Sequence, residues 1–377
     1  MRVALVHDYL TQYGGAERVL LALHELFPSA PIFSSVSDPD ALPAEASTWE
    51  VHETAMSRFP ASRGMHRLLA PLYPVVFRKL RDALKEFDVV LADSSAWAHH
   101  AGVEQRTALI CYCHSPARFL YGDSTYLGPA ALPFGMRQVA GAAFAGLRRS
   151  DRLAAERVDR YVANSRNVAA RIARAYGRRV TVVYPPIDVE RFAGPDIGPE
   201  EWFAVVSRLV PHKRVDLAVD AATRYGFRLK VAGVGRAEMD LRRRAGPTVE
   251  FLGEVNDEGV AELLRSCRGL LLPGHEDFGM TAVEAQAAGR PVIAFGRGGA
   301  LESVLPGVTG ELFQAQTVES LMDGIERFER RGWDPAAARA NAARFGIERF
   351  RAEMLEEIAA GVASRQRVLN GGAHAVG

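Results

Sequence analysis

Gly269-Leu-Leu-Leu-Pro273, followed by Gly274-His-Glu-Asp-Phe-Gly-Met-Thr-Ala-Val-Glu284, is the stretch that decides the fold. Its first five residues are a short apolar run bounded by glycine and proline, which predicts a buried strand. Residues 281–288 contain no helix breaker and predict a helix, so the whole reads as strand, loop and helix start. Glu276 falls on the loop and Glu284 inside the helix. Between them Phe278, Gly279, Met280 and Thr281 lie at the helix N-terminus. Backbone N–H groups there have no intrahelical partner and can hold a phosphate or a sugar hydroxyl with the help of the dipole.

The same alternation runs outward in both directions. Upstream, residues 3–6, 32–34, 89–92, 108–113 and 161–163 predict short buried strands, separated by helices such as 16–26, whose Val19, Leu20, Leu23, Leu26 and Phe27 share one stripe. The second half repeats the pattern at 202–206, 229–232, 249–252, 270–272 and 292–295. An α/β fold of two parallel, doubly wound, Rossmann-like sheets is expected. Val183-Tyr184-Pro185-Pro186-Ile187-Asp188 is the link between them, because paired prolines forbid helix and impose an extended chain. The domains are accordingly 1–184 and 185–344. A helix over 345–361 follows, and the small, polar tail 362–377 is expected to be disordered.

At 377 residues, 48% hydrophobic and 24% charged, the chain has the composition of a globular protein with room for two cores. A net charge of +1 argues against nucleic acid as the main partner. No run of eighteen apolar residues occurs and the start, Met1 to Asp8, reads as a strand rather than a signal peptide, so a cytoplasmic location is expected. Three cysteines do not make a disulfide framework. Cys111 and Cys113 alternate on one face of a strand that ends at His114, and they read as buried thiols rather than metal ligands.

Ligands of open parallel sheets bind beyond the carboxyl ends of the strands, and four motifs sit there. They are Glu276-x7-Glu284 with Phe278-Gly279 inside it, Ser207-Arg208-Leu209-Val210-Pro211-His212-Lys213-Arg214-Val215-Asp216, His7-Asp8-Tyr9 followed by Gly14-Gly15-Ala16-Glu17, and Cys113-His114-Ser115-Pro116. Together they resemble the signatures of the retaining glycosyltransferases of family four, which have the GT-B fold of two Rossmann-like domains facing across a cleft. Arg208 and Lys213 stand in the places of that family's diphosphate-binding pair, and His114 in that of its active-site histidine. The terminal helix resembles the one that crosses back onto the first domain.

The resemblance implies a chemistry that the residue types support. Breaking a sugar–nucleotide bond loads negative charge onto a diphosphate, which needs fixed cations and backbone donors. Arg208 and Lys213 would supply the cations, while Gly14 and Gly15 permit close backbone approach. By resemblance Glu284 would hold the ribose hydroxyls, Glu276 hydroxyls of the transferred sugar, and His114 the sugar's reacting face. His114, Arg208, Lys213 and Glu276 are thus the catalytic set. Gly14, Gly15, Arg208, Lys213, Gly233, Phe278, Gly279, Met280, Thr281 and Glu284 are the donor-binding one. Front-side attack by an acceptor hydroxyl is implied, with no cofactor and no metal beyond the nucleotide sugar.

The opening His-Asp-Tyr-Leu, Gly-Gly-Ala-Glu and Cys-His-Ser-Pro look most like the branch that uses GDP-mannose to build surface polysaccharides. The expected donor is therefore GDP-mannose and the acceptor a glycan or lipid-linked sugar. A UDP-sugar donor, a nucleotide-sugar epimerase and a catalytically silent binder are the alternatives. Asp38-Pro39-Asp40 contains an Asp-x-Asp pattern but reads as a proline turn. Gly233-Val-Gly-Arg-Ala-Glu238 has a glutamate where a dinucleotide fingerprint needs its third glycine, so a dehydrogenase is not expected. Residues 58–81 carry Arg58, Arg63, Arg67, Arg78, Lys79 and Arg81 with no acid, interleaved with apolar residues. They read either as a patch for the anionic inner face of a membrane or as a solvated face over an ordinary core.

Overall fold

A computed structural model describes residues 1–59, 66–121, 134–194 and 198–373. The chain divides into two compact units, one of residues 1–184 and 350–377, the other of residues 185–349.

The first unit holds a seven-stranded sheet of β1 (Val3–His7), β2 (Ile32–Ser34), β3 (Val51–Glu53), β4 (Val89–Ser94), β5 (Ala108–Cys113), β6 (Arg160–Ala163) and β7 (Thr181–Val182). Their order is β3-β2-β1-β4-β5-β6-β7, with every pair parallel. Both faces are covered, which is why the central strands read as unbroken apolar runs. On β5, Leu109, Cys111 and Cys113 enter one core cluster while Ala108, Ile110 and Tyr112 enter the other. The two thiols therefore share a face, as expected.

The second unit holds a six-stranded sheet of β8 (Trp202–Val206), β9 (Arg228–Ala232), β10 (Val249–Gly253), β11 (Gly269–Leu272), β12 (Val292–Phe295) and β13 (Gly310–Phe313), ordered β10-β9-β8-β11-β12-β13 and again parallel throughout. The expected strands are all present. β3, β7 and β13, which were not expected, are edge strands. Ile187 N–H donates to Phe345 O at 2.9 Å, so the entry and exit of this unit are tied together.

The last helix, Ile347–Ala373, returns to the first unit, where Phe350, Met354 and Ile358 are buried in its core. Each such side chain contributes roughly 1.5–3 kcal/mol by leaving water. Gly361 lies against β5: a Cβ there would come within 2.6 Å of Ile110. Residues 362–373, expected to be disordered, continue this helix. Val362 packs on the core and Arg365 donates to Asp159 Oδ2 at 2.9 and 3.1 Å, which anchors a segment whose composition alone is unremarkable.

In the basic segment, Arg63 falls among residues outside the described ones, as does the side chain of Arg67. Arg78 is spent on Pro74 O at 2.9 Å, and Arg81 forks onto Glu104 at 2.9 and 3.1 Å. Tyr73 and Phe77 are buried, with Tyr73 stacked on Trp97. Much of this stretch therefore serves the fold, although Phe59 and Val75 are exposed. Among the described residues no helix is long and apolar enough to cross a membrane. Asp38-Pro39-Asp40 enters a single 3-10 turn, Pro39–Ala41, as turn chemistry predicts.

Candidate functional site

In the second unit the loops after β8, β9, β11 and β12 are pressed together backbone to backbone, and glycines are what permit it. Gly233, at φ +126°, has no room for a Cβ, which would sit 2.0 Å from Ser207 O. Leu209 N–H donates to Val234 O and Ala237 N–H to Leu209 O, both at 2.9 Å. The expected Gly233 loop is thus the seat of the Arg208 loop.

Lys213 ends a short 3-10 turn, Pro211–Lys213. A Cβ on Gly274 would lie 3.0 Å from its backbone, so glycine brings the loop of Glu276 against it. Lys213 Nζ then donates to Glu276 Oε2 at 2.6 Å. Their side chains are 23% and 11% exposed, a partly desolvated ion pair at the sheet's carboxyl end. The next residue, Arg214, adopts φ +51° and is held by a bidentate contact with Asp216. Non-glycine residues in that conformation carry strain and cluster at functional sites.

The other flank of Glu276 is clamped by a run that sequence reasoning did not single out, Gly296-Arg297-Gly298-Gly299. Gly299 N–H donates to Glu276 O at 2.9 Å, and a Cβ on Gly298, at φ +68°, would be 2.3 Å from that oxygen. Four residues with three glycines directly after a strand were the available signal. Gly279, at φ +88°, caps the helix Met280–Ala287. Met280 and Thr281 lie in its first turn, half-buried, and Glu284 inside it, buried. Phe278 turns inward onto Phe345, with ring centroids 5.3 Å apart, so its side chain belongs to the core.

In the first unit the motif residues meet at the ends of three neighbouring strands. His7 ends β1, Asp93 is the penultimate residue of β4, and His114 follows β5. Asp93 bonds both histidines, His7 Nδ1 at 2.9 Å and His114 Nε2 at 2.6 Å. Glu17, at the start of helix Gly15–Leu26, lies 3.6 Å from His7 Nε2 and accepts the Gly14 N–H at 2.8 Å. The amide of Gly14, expected to face a ligand, is therefore engaged by Glu17. Burial opposes a charge on His7, but the hydrogen bonds and charges of Asp93 and Glu17 outweigh it and push the imidazole up to about 10. For Glu17 and Asp93 burial is likewise the largest influence, raising them, yet their histidine partners hold both below the ordinary carboxylate value.

Asp8 accepts three backbone N–H groups, from Ser95 and Trp97 at 2.9 Å and from Ala98 at 2.5 Å, tying the loop after β4 to β1. Beyond it lies a second buried cluster. Asp151 sits 3.0 Å from the Nε2 atoms of His99 and His100 and accepts from Tyr121 at 2.8 Å. Burial pushes His100 down to about 4, against the pull of Asp151. This cluster pins the helices Arg118–Tyr121 and Phe134–Ala155 to the 3-10 turn Ala98–His100 that follows β4. Neither Asp93, Asp151 nor Glu17 was singled out as a site residue from sequence.

Comparison with known proteins bears on these two strand-end sites. Residues 13–191 match the family described as Glycosyltransferase Family 4, and residues 187–345 match Glycosyl transferases group 1. The chain is built of glycosyltransferase domains. A D-inositol 3-phosphate glycosyltransferase of Kribbella flavida is 32% identical over 203 residues, 45% of this chain and 48% of the relative. That of Geodermatophilus obscurus is 33% identical over 225 residues, 51% of this chain and 50% of the relative. The chain spans about half the length of the curated relatives it matches.

Among solved structures, Anabaena Alr3699/HepE in complex with UDP-glucose superposes with a TM-score of 0.72 at 21% identity, over 95% of this chain and all of that one (100%). Sucrose-phosphate synthase of Thermosynechococcus elongatus gives 0.68 at 18% identity, over 99% and 100%. These likenesses are of fold, and with the two parallel sheets they make the glycosyltransferase domains a GT-B pair.

Proposed function

We propose that this chain is a retaining glycosyltransferase, moving a hexose from a nucleoside-diphosphate sugar to a hydroxyl of a glycan or lipid-linked acceptor. The observation that carries the proposal is the Lys213–Glu276 ion pair at 2.6 Å, held by glycine contacts on both flanks within a group 1 domain. A diphosphate arriving beside this pair meets a lysine already fixed in place. Lys213 then shares its charge with the departing phosphate, and Glu276, released in part, accepts from hydroxyls of the transferred sugar. Arg208 adds a second cation and Glu284 takes the ribose hydroxyls. Fixed donors of this kind act where charge develops, without reorganising at the moment of reaction.

The acceptor attacks from the face the diphosphate leaves, and the departing oxygen takes its proton. No metal is assigned a part, because Arg208 and Lys213 provide the compensating charge. GDP-mannose is the donor the sequence motifs favour. A UDP-sugar is the second reading, favoured by UDP-glucose in the Anabaena relative. The reaction is placed in the cytoplasm, with contact to an anionic membrane surface through the Arg58 region as part of the same proposal.

The test is release of free nucleotide from a panel of GDP-, UDP- and ADP-sugars with EDTA present. Release from GDP-mannose alone supports the mannosyl reading. Release from a UDP-sugar keeps the transferase and overturns that donor. Donor isomerised with no nucleotide released would identify an epimerase. Neither turnover nor nucleotide binding, with acceptors supplied, refutes the proposal.

A further inference from the structure

The carboxylates and histidines at the strand ends of the first unit form a continuous chain of which the roles above use only His114. In the sheet, β4 lies between β1 and β5. His7 is paired in register with Asp93, and His114 is the first residue beyond β5. The contacts run Glu17 to His7 at 3.6 Å, His7 to Asp93 Oδ2 at 2.9 Å, and Asp93 Oδ1 to His114 at 2.6 Å. His7, Glu17 and Asp93 are 2%, 1% and 0% exposed, whereas the His114 side chain is 13% exposed. The chain therefore reaches the surface through His114.

A carboxylate is acceptor-only, so each ring nitrogen that faces it must carry the proton. His7 faces a carboxylate from both nitrogens. His114 faces Asp93 with Nε2 alone, which leaves Nδ1 as the nitrogen turned elsewhere. We propose that Asp93 and His7 are positioning residues for His114: Asp93 holds its ring as the Nε2–H tautomer, so that Nδ1 accepts a substrate hydroxyl, and His7, clamped between Asp93 and Glu17, keeps Asp93 ionised and oriented. This rests on the reading that His114 serves the transferred sugar. The tautomer and ring orientation of a working histidine are set by what its second nitrogen bonds. Three adjacent parallel strands supply that support here from rigid backbone.

The titratable groups around the chain are Asp8, Glu17, Asp93, Cys111, Cys113 and Tyr112. Removing the His7 cation leaves the net negative charge near His114 larger. Asp93 then loses one of the two histidine partners that hold its carboxylate below the ordinary value, and with it a fixed orientation beside His114 Nε2.

The experiment has two arms. In the first, ¹⁵N-histidine NMR of the full chain, with His114→Ala for assignment, reads the His114 tautomer without any substrate. A proton on Nε2 is expected, and a ring protonated on Nδ1 alone overturns the proposal. In the second, nucleotide release is measured for Asp93→Asn and His7→Gln. Asp93→Asn should lower kcat about tenfold, the scale of one hydrogen bond lost from the transition state, with donor Kd within about twofold. His7→Gln should lower kcat in the same direction, again with donor Kd within about twofold. Unchanged kcat in both Asp93→Asn and His7→Gln overturns the proposal. Should no donor be turned over by the parent chain, the transferase reading fails while the NMR arm still decides the tautomer. That arm also decides if Asp93→Asn does not fold.

Discussion

Raising the pH from 7 to 9 should destabilise the first unit through His7. In the folded chain this imidazole is held at about 10 against an ordinary value of 6.5, so it keeps its proton over a range in which the unfolded chain has released it. A raised value contributes stability that is complete below pH 6.5 and is lost as pH climbs through about 10. Across the window the folded state binds one more proton, and stability falls by about 1.4 kcal/mol per pH unit, or roughly 3 kcal/mol between pH 7 and 9. Glu17 and Asp93 give the opposite limb: their lowered values mean that the same contacts fail in acid. The assay is urea unfolding at pH 7, 8 and 9, read by hydrogen-exchange mass spectrometry on peptides covering β1 and β4, which report this unit alone. His7→Gln is the reference, since groups titrating elsewhere cancel in the difference. Equal pH slopes for the parent and His7→Gln would refute the reasoning that a buried imidazolium joins Glu17 to Asp93.

Three further outcomes are expected. Lys213→Ala should cost about 3 kcal/mol of transition-state stabilisation, some 10²-fold in nucleotide release, as loss of one fixed donor typically does; near-normal turnover would defeat its assignment. Gly233→Ala should destabilise the second unit by more than about 1 kcal/mol, because its positive φ and the Ser207 carbonyl 2.0 Å from the new Cβ both oppose a side chain; an unchanged melting profile would contradict that geometry. With donor alone, intact-protein mass spectrometry should show no glycosyl adduct, since the proposal makes Glu276, paired with Lys213, a hydroxyl contact rather than a nucleophile; a stable adduct on Glu276 would replace front-side attack by a covalent route.

The central strands were legible because a parallel sheet covered on both faces demands unbroken apolar runs, and Ala108 to Cys113 or Trp202 to Val206 can hardly be anything else. The edge strands were not. Val51-His52-Glu53 and Gly310-Glu311-Leu312-Phe313 need only one buried flank, and their polar residues blur the pattern. The loops carrying Arg208, Lys213, Glu276 and Glu284 were readable from motif and spacing, but not the pairing of Lys213 with Glu276 across 63 residues, which depends on how Gly274 lets two backbones meet. Asp93 escaped notice because an acid closing Val89-Val-Leu-Ala looks like ordinary strand-end punctuation. Its meaning lies in the neighbours that the order β1-β4-β5 brings beside it. The continuation of the last helix to Ala373 likewise turns on Arg365 finding Asp159, a partner 206 residues away.

That last helix also imposes an order on synthesis. Phe350, Met354 and Ile358 belong to the core of the first unit, yet they are translated after every residue of the second. The second unit is one continuous segment and can complete itself as soon as residue 349 has left the ribosome. The first, begun earliest, must wait with part of one face of its sheet uncovered, beside helix Gly15–Leu26, until the final helix arrives. Nascent chains usually finish their domains in the order in which they are made. Here the amino-terminal unit is the last to close, and during that interval its exposed apolar face is the surface a chaperone would meet.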